Sequence, residues 1–127
     1  MDLNIGIFIA QELKKLNDRV FYELHPDDVT AIFPYITFFD RDDKNDENVS
    51  GTLTVYIDIW DNKSGNTLVL ETLSKNIQKH FKNMVFSSSK FWVRFLKGSV
   101  LALPDTDPKI RRRQIVLIVK YYNREEL

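Results

Sequence analysis

His25 and His80 are the only imidazoles among 127 residues, so histidine-based acid–base or metal chemistry would have to use one of them. No H-E-x-x-H spacing joins them. His80 stands beside Phe81 at the edge of an apolar stripe, as a helix-flanking or partly buried histidine does, and His25 precedes Pro26 as a turn residue does. Ser87, Ser88 and Ser89 come without a placed base and read as a loop. The glycines are Gly6, Gly51, Gly65 and Gly98, and they form no G-x-G-x-x-G, G-x-x-x-x-G-K-[ST] or G-x-S-x-G motif. The absence of Cys excludes disulfides, thiolate catalysis and Cys-based zinc sites, and fits an intracellular origin. The expectation is a protein that is not an enzyme, with no catalytic residue, no cofactor and no metal. An enzyme would require strongly perturbed His80 or Asp58 in a cleft.

Two charged segments remain. Between Asp40 and Glu47 the acids Asp40, Asp42, Asp43, Asp46 and Glu47 outnumber Arg41 and Lys44 by five to two. Counted from Asp43, calcium-loop position 6 is Asn48 instead of Gly and position 12 is Thr54 instead of Glu, so this is not an EF-hand. The second segment, 109–113, carries Lys109, Arg111, Arg112 and Arg113. Strand alternation sends Arg111 and Arg113 to one side and Arg112 to the other, so the three cannot form one anion cradle. A nucleic-acid surface would recruit a wider basic face with stacking aromatics. Lys+Arg and Asp+Glu both number 18, which leaves no global field to attract nucleic acid or an anionic membrane.

The elements that would position these charges follow from periodicity. Ile5, Phe8, Ile9, Leu13, Leu16 and Val20 predict an amphipathic helix with Asn4 as N-cap. Residues 20–24 turn extended before His25-Pro26. A strand covers 35–39, and a polar, mobile loop is expected over 40–51. Leu53, Val55, Ile57 and Ile59 alternate with Thr54, Tyr56, Asp58 and Trp60, the pattern of a strand. A helix starting near Thr67 aligns Leu70, Leu73, Ile77, Phe81 and Met84. Strands are expected over 91–96 and 113–122, with a Pro/Asp loop over 103–108 between them. This predicts one domain over 1–127 of the α+β class, a mostly antiparallel sheet with two amphipathic helices on one face. The amino end lacks a positive n-region and does not read as a signal peptide. No apolar run reaches the roughly 20 residues of a membrane span.

Tyr56 and Trp60 occupy the strand face that would ordinarily carry Lys or Glu, so either a helix or another subunit covers it. The acidic and basic segments are opposite features of a neutral chain. If they lie on opposite flanks, copies can associate head to tail and close into a ring, with the aromatic face as an apolar centre. The alternative is that both segments are solvated loops.

Nearly the whole chain resembles the tail terminator (tail completion) proteins of long-tailed bacteriophages and prophages. The residues that carry the likeness are the early helix, Pro34-Tyr35-Ile36-Thr37-Phe38, the long polar loop and Tyr56-Ile57-Asp58-Ile59-Trp60-Asp61 with its following turn. The Leu70/Leu73/Ile77/Phe81 helix and the closing strand Arg111-Arg112-Arg113-Gln114-Ile115-Val116-Leu117 complete it. The resemblance implies a structural virion protein at the head-proximal end of the tail, assembled in the host bacterial cytoplasm. It implies a homo-oligomeric ring, a hexamer on the tail, that ends tube polymerisation and offers a head-joining surface. Its partners would be further copies of itself, the tail-tube protein and a head–tail connector protein, without membrane or sequence-specific nucleic acid. The interface residues expected are Asp40, Asp42, Asp43, Asp46, Glu47, Tyr56, Trp60, Arg111, Arg112 and Arg113. The rivals are a head–tail connector or minor virion protein, and a small nucleic-acid-binding module using 109–113.

Overall fold

The longest alternating run of the sequence becomes the centre of the sheet. In the computed structural model, which describes residues 3–27, 30–44, 50–62, 66–96, 98–104, 107 and 109–124, it forms β3 (Ser50–Asp61). β3 lies between β2 (Tyr35–Lys44) and β7 (Arg111–Asn123), antiparallel to both. Short β1 (Val20–Tyr22) joins the outer side of β2 in parallel. The far side of β7 is shared by β5 (Phe91–Phe95), which pairs with its carboxyl half, and β6 (Ser99–Leu103), which pairs with its amino half. β4 (Val85–Ser87) lies outside β5, which completes seven strands.

β5 and β6 are one run broken by an extra residue. Phe95 pairs with Val119 and Ser99 with Val116, so four residues advance against three. Gly98 sits at this break because the chain passes close to β7 there. A Cβ on Gly98 would meet Val116 O at 2.8 Å, a backbone atom that cannot step aside.

Both helices cover one face. α1 (Leu3–Lys14) packs against β1 and β5, near opposite sides of the sheet, and so lies across the strands. α2 (Leu68–Phe81) packs on β3 and β7. Ile5, Ile9 and Leu13 of α1 and Leu70, Ile77 and Phe81 of α2 are buried with Leu53, Val55, Ile57 and Ile59. Each such side chain contributes about 1.5–3 kcal/mol on burial. α2 opens with Asn66 Oδ1 accepting a hydrogen bond from Leu68 N at 3.0 Å. Its exit passes through Asn83 at φ 57, a left-handed turn that Asn tolerates.

The α+β class, the two helices on one face and the mostly antiparallel sheet stand as the sequence predicts. Several boundaries differ. α1 begins at Leu3, so Asn4 lies in its first turn, and it stops at Lys14, with Val20 in β1. The polar loop expected over 40–51 is largely strand: residues 40–44 extend β2, and Ser50 and Gly51 begin β3. Backbone pairing with residues 52–55 satisfies this stretch whatever its side-chain polarity. β4 and β6 are additional strands.

A polar pair ties the helices together. Glu12 of α1, 8% exposed, accepts hydrogen bonds from His80 of α2 at 3.0 Å and from Lys15 at 2.7 Å. Burial alone would raise the Glu12 pKa; the bonds from Lys15 and His80 outweigh it and hold it below the usual carboxylate range. A depressed folded pKa stabilises the fold above the unfolded pKa, and that stabilisation is lost as pH falls through the folded one. Glu12→Gln is expected to cost about 1–2 kcal/mol near neutral pH. Thermal melting of both proteins on acidification should show the gap closing as the wild-type carboxylate takes up its proton.

Candidate assembly interface

The face of the sheet away from the helices carries the residues that sequence alternation set apart. The register places them in cross-strand rows. Tyr35 of β2 lies opposite Trp60 of β3, with ring centroids 6.1 Å apart and planes 17° from parallel. Phe39 lies opposite Tyr56, at 4.8 Å and 15°. Directly opposed aromatic pairs of this kind stabilise a sheet beyond the area they bury. Trp60 Nε1 donates a hydrogen bond to Thr37 Oγ1 at 3.1 Å, and the Arg112 guanidinium lies 4.7 Å from its ring centre.

Beneath the aromatic rows is a buried ion pair. Asp58 is 3% exposed, and its Oδ1 accepts from Arg112 Nε at 3.2 Å and from Arg112 Nη2 at 3.1 Å. Burial raises the Asp58 pKa above its ordinary value, while Arg112 and Gln114 hold it down in part. Asp58 does not line the cleft at the Trp60 end of this face, an opening of about 540 Å³ walled by Glu23, Leu24, His25 and Asp27 against Tyr35 and Trp60. Its place under Trp60 and Arg112 is that of a structural anchor.

The three arginines separate as alternation requires. Arg112 reaches Asp58 on the aromatic face, and Arg113 turns to the helix side, where it meets Glu71 of α2 at 2.7 Å. Arg111 is exposed at the start of β7. Of the acids, Asp40 accepts a hydrogen bond from Tyr22 Oη at 2.7 Å, which pushes the Tyr22 pKa up to about 12. Asp42 and Asp43 lie on β2, while Asp46 and Glu47 fall outside the described residues, as do residues 105, 106 and 108 of the 103–108 loop. The 40–44 and 111–113 segments stand at opposite ends of β3, so no single cluster unites the acids with the arginines.

Among the described residues no helix covers the aromatic face. Segment 23–27 covers the Tyr35–Trp60 end, where the His25 ring lies 4.9 Å from Tyr35. Two features went unread in the sequence. One is the Asp58–Arg112 pair, which needs the register of two strands 54 residues apart. The other is a run of free cations along α2 and just past its end. Lys75, Lys79 and Lys82 share an outer flank beside Gly98, spaced four and three residues apart, and among the described residues no acid pairs with them. That spacing was visible, but such a flank usually reads as a solvated helix face. Among the described residues no three His, Asp or Glu side chains converge as metal ligands, and no helix is long and apolar enough to cross a membrane.

A chain from a virion shares this fold. It belongs to the "virion of native gene transfer agent (GTA) particle" and superposes with TM-score 0.56 over 87% of this chain and 84% of that one. Sequence identity is 13%, so the likeness is one of fold. No protein-family model and no curated protein matches the sequence.

Proposed function

We propose that the chain is a structural virion protein, the subunit of a ring that caps the head-proximal end of a phage-type tail tube. In this role it ends tube polymerisation and presents the surface to which the head joins. The observation that carries the reading is the likeness of fold, over 87% of this chain, to a chain of a gene transfer agent virion. The tail-terminator resemblance of the 34–38, 56–61 and 111–117 segments supports it from the sequence side.

The geometry suits a capping subunit. A tube grows because each ring presents the surface the next one needs; a cap must match that surface on one side and differ on the other. Here helices close one face of the sheet and aromatic pairs occupy the other. Many identical weak contacts around a ring add by avidity, so a subunit that is monomeric in solution can still cap tightly. The nucleic-acid reading finds less support, because Arg112 and Arg113 point to opposite faces and are both paired within the chain.

The test is negative-stain microscopy of the cognate tail-tube protein polymerising with and without this chain. Tubes of limited growth carrying one extra ring at a fixed end are the expected result. Tubes that grow unaltered and bear no added density would overturn the capping role. Density at the head side without an effect on growth would make the chain a head–tail connector.

A further inference from the structure

The sheet face away from the helices carries opposite charges at two diagonal corners. At one corner, Glu23 and Asp27 wall the cleft beside Tyr35 and Trp60. Both are exposed, and among the described residues no cation or hydrogen-bond donor engages either carboxylate. Arg112, beside Trp60, is held by Asp58, and Arg19 by Asp18 and the Pro34 carbonyl. At the other corner Arg94 of β5 lies directly opposite Lys120 of β7. Both are exposed, and neither has an acidic partner among the described residues. Like charges directly opposed in this way destabilise a sheet, so the corner gains from an acid brought to it.

The ground between the corners is apolar. Trp60 shares a row with Arg112 and Thr52 shares one with Lys120, so the row midway between them is Tyr56 and Val116. Around it Phe39, Tyr56, Val116 and Ile118 are half-buried and Leu101 is 47% exposed. An apolar face that no element of the chain covers marks an interaction surface. The corners themselves are three strand spacings and eight residues apart, roughly 30 Å.

We infer that a second copy of this chain covers the face, packed sheet to sheet about a two-fold axis that passes over the Tyr56–Val116 row. The axis lies between the sheets and across the diagonal, so Glu23 and Asp27 of each copy meet Arg94 and Lys120 of the other. The charges fix how the two sheets sit, and the apolar centre supplies the contact area. Such a contact is isologous and closes at two copies, unlike the head-to-tail contact that builds a ring. The dimer is independent of the capping reading: it is the form that keeps the aromatic face from water until another partner meets it.

Sedimentation velocity of the purified chain over a range of concentrations and salt tests the dimer. The wild-type chain should sediment as two copies, less tightly joined as salt rises. Arg94→Glu/Lys120→Glu and Glu23→Lys/Asp27→Lys change exposed side chains that have no ion-pair partner in their own chain, so both variants should stay folded by circular dichroism. Each should weaken dimerisation by at least about a hundredfold, because every dimer contains the altered contact twice. Mixed in equal amounts, the two variants should form a heterodimer, since the two corners of one are all basic and those of the other all acidic. The chain with all four substitutions should dimerise as the wild type does. A wild-type chain that stays monomeric, a ladder that runs past two copies, or variants that dimerise alone or fail to join when mixed would each overturn the arrangement. Tube capping is scored separately. A monomer that caps tubes would overturn the dimer and leave the capping reading standing, and a charge-dependent dimer that never binds tubes would do the reverse.

Discussion

Arg112→Ala should lower the melting temperature by on the order of 10 °C, among the largest effects of any single substitution outside the helix-packed core. Asp58 is 3% exposed and among the described residues has Arg112 as its only cationic partner. Removing one member of a buried ion pair leaves an uncompensated charge, at a cost of about 3–5 kcal/mol. The pH dependence identifies the cause. Burial already raises the Asp58 pKa, so the folded protein holds that proton more tightly than the unfolded chain does. A carboxyl with a raised folded pKa destabilises the fold above that pKa and ceases to do so below the unfolded one. Without Arg112 the folded pKa rises further, so the deficit of the variant should shrink as the solution is acidified from neutrality. Asp58→Asn in the same chain should recover most of the loss at neutral pH, because it removes the stranded charge. A deficit that is flat with pH and unrescued by Asp58→Asn would mean that Arg112 acts through its packing on Trp60 alone. Reversing Arg111, Arg112 and Arg113 together to Glu is expected to unfold the monomer, because it sets like charges against Asp58 and Glu71.

How much of this was legible depended on range. The alternation of 53–59 and the apolar stripe of Leu70, Leu73, Ile77 and Phe81 are local periodicities, and both elements formed where they pointed. The 40–44 extension of β2 was not legible, because a strand paired through its backbone need not carry apolar side chains. Nor was β6, whose five residues follow the Gly98 break and are half exposed. The pairings Asp58–Arg112 and Arg113–Glu71 depend on register and on helix placement, which no local pattern encodes. Of the two covers expected over Tyr56 and Trp60, a helix or another subunit, no helix among the described residues provides one. Their own cross-strand partners Phe39 and Tyr35 stack on them instead, and segment 23–27 reaches the Trp60 end.

That arrangement determines what Trp60→Ala should do. A tryptophan pointing at a helix would matter for folding, and one pointing at a partner would matter for assembly alone. Trp60 instead meets three groups of its own sheet: the Tyr35 ring, the Thr37 hydroxyl at 3.1 Å and the Arg112 guanidinium at 4.7 Å. Truncation to Ala should cost about 3 kcal/mol, the lower range for a large buried aromatic, because the ring is only partly enclosed. Part of that cost passes through Arg112, which loses the surface that steadies it over Asp58. Trp60→Ala and Arg112→Ala should therefore be non-additive, the double variant losing less than the sum by about 0.5–3 kcal/mol. Trp60→Phe should keep the ring contacts and lose chiefly the bond to Thr37, about 1 kcal/mol. Melting curves of the four proteins measure the coupling, and additive losses would show that Trp60 and Arg112 act independently. Capping assayed well below every melting temperature then separates the roles. Trp60→Ala that melts early yet caps tubes normally would mark the aromatic row as internal bracing for the 35–44 and 50–61 strands. Lost capping in a still-folded variant would mean that the same row also meets the tube.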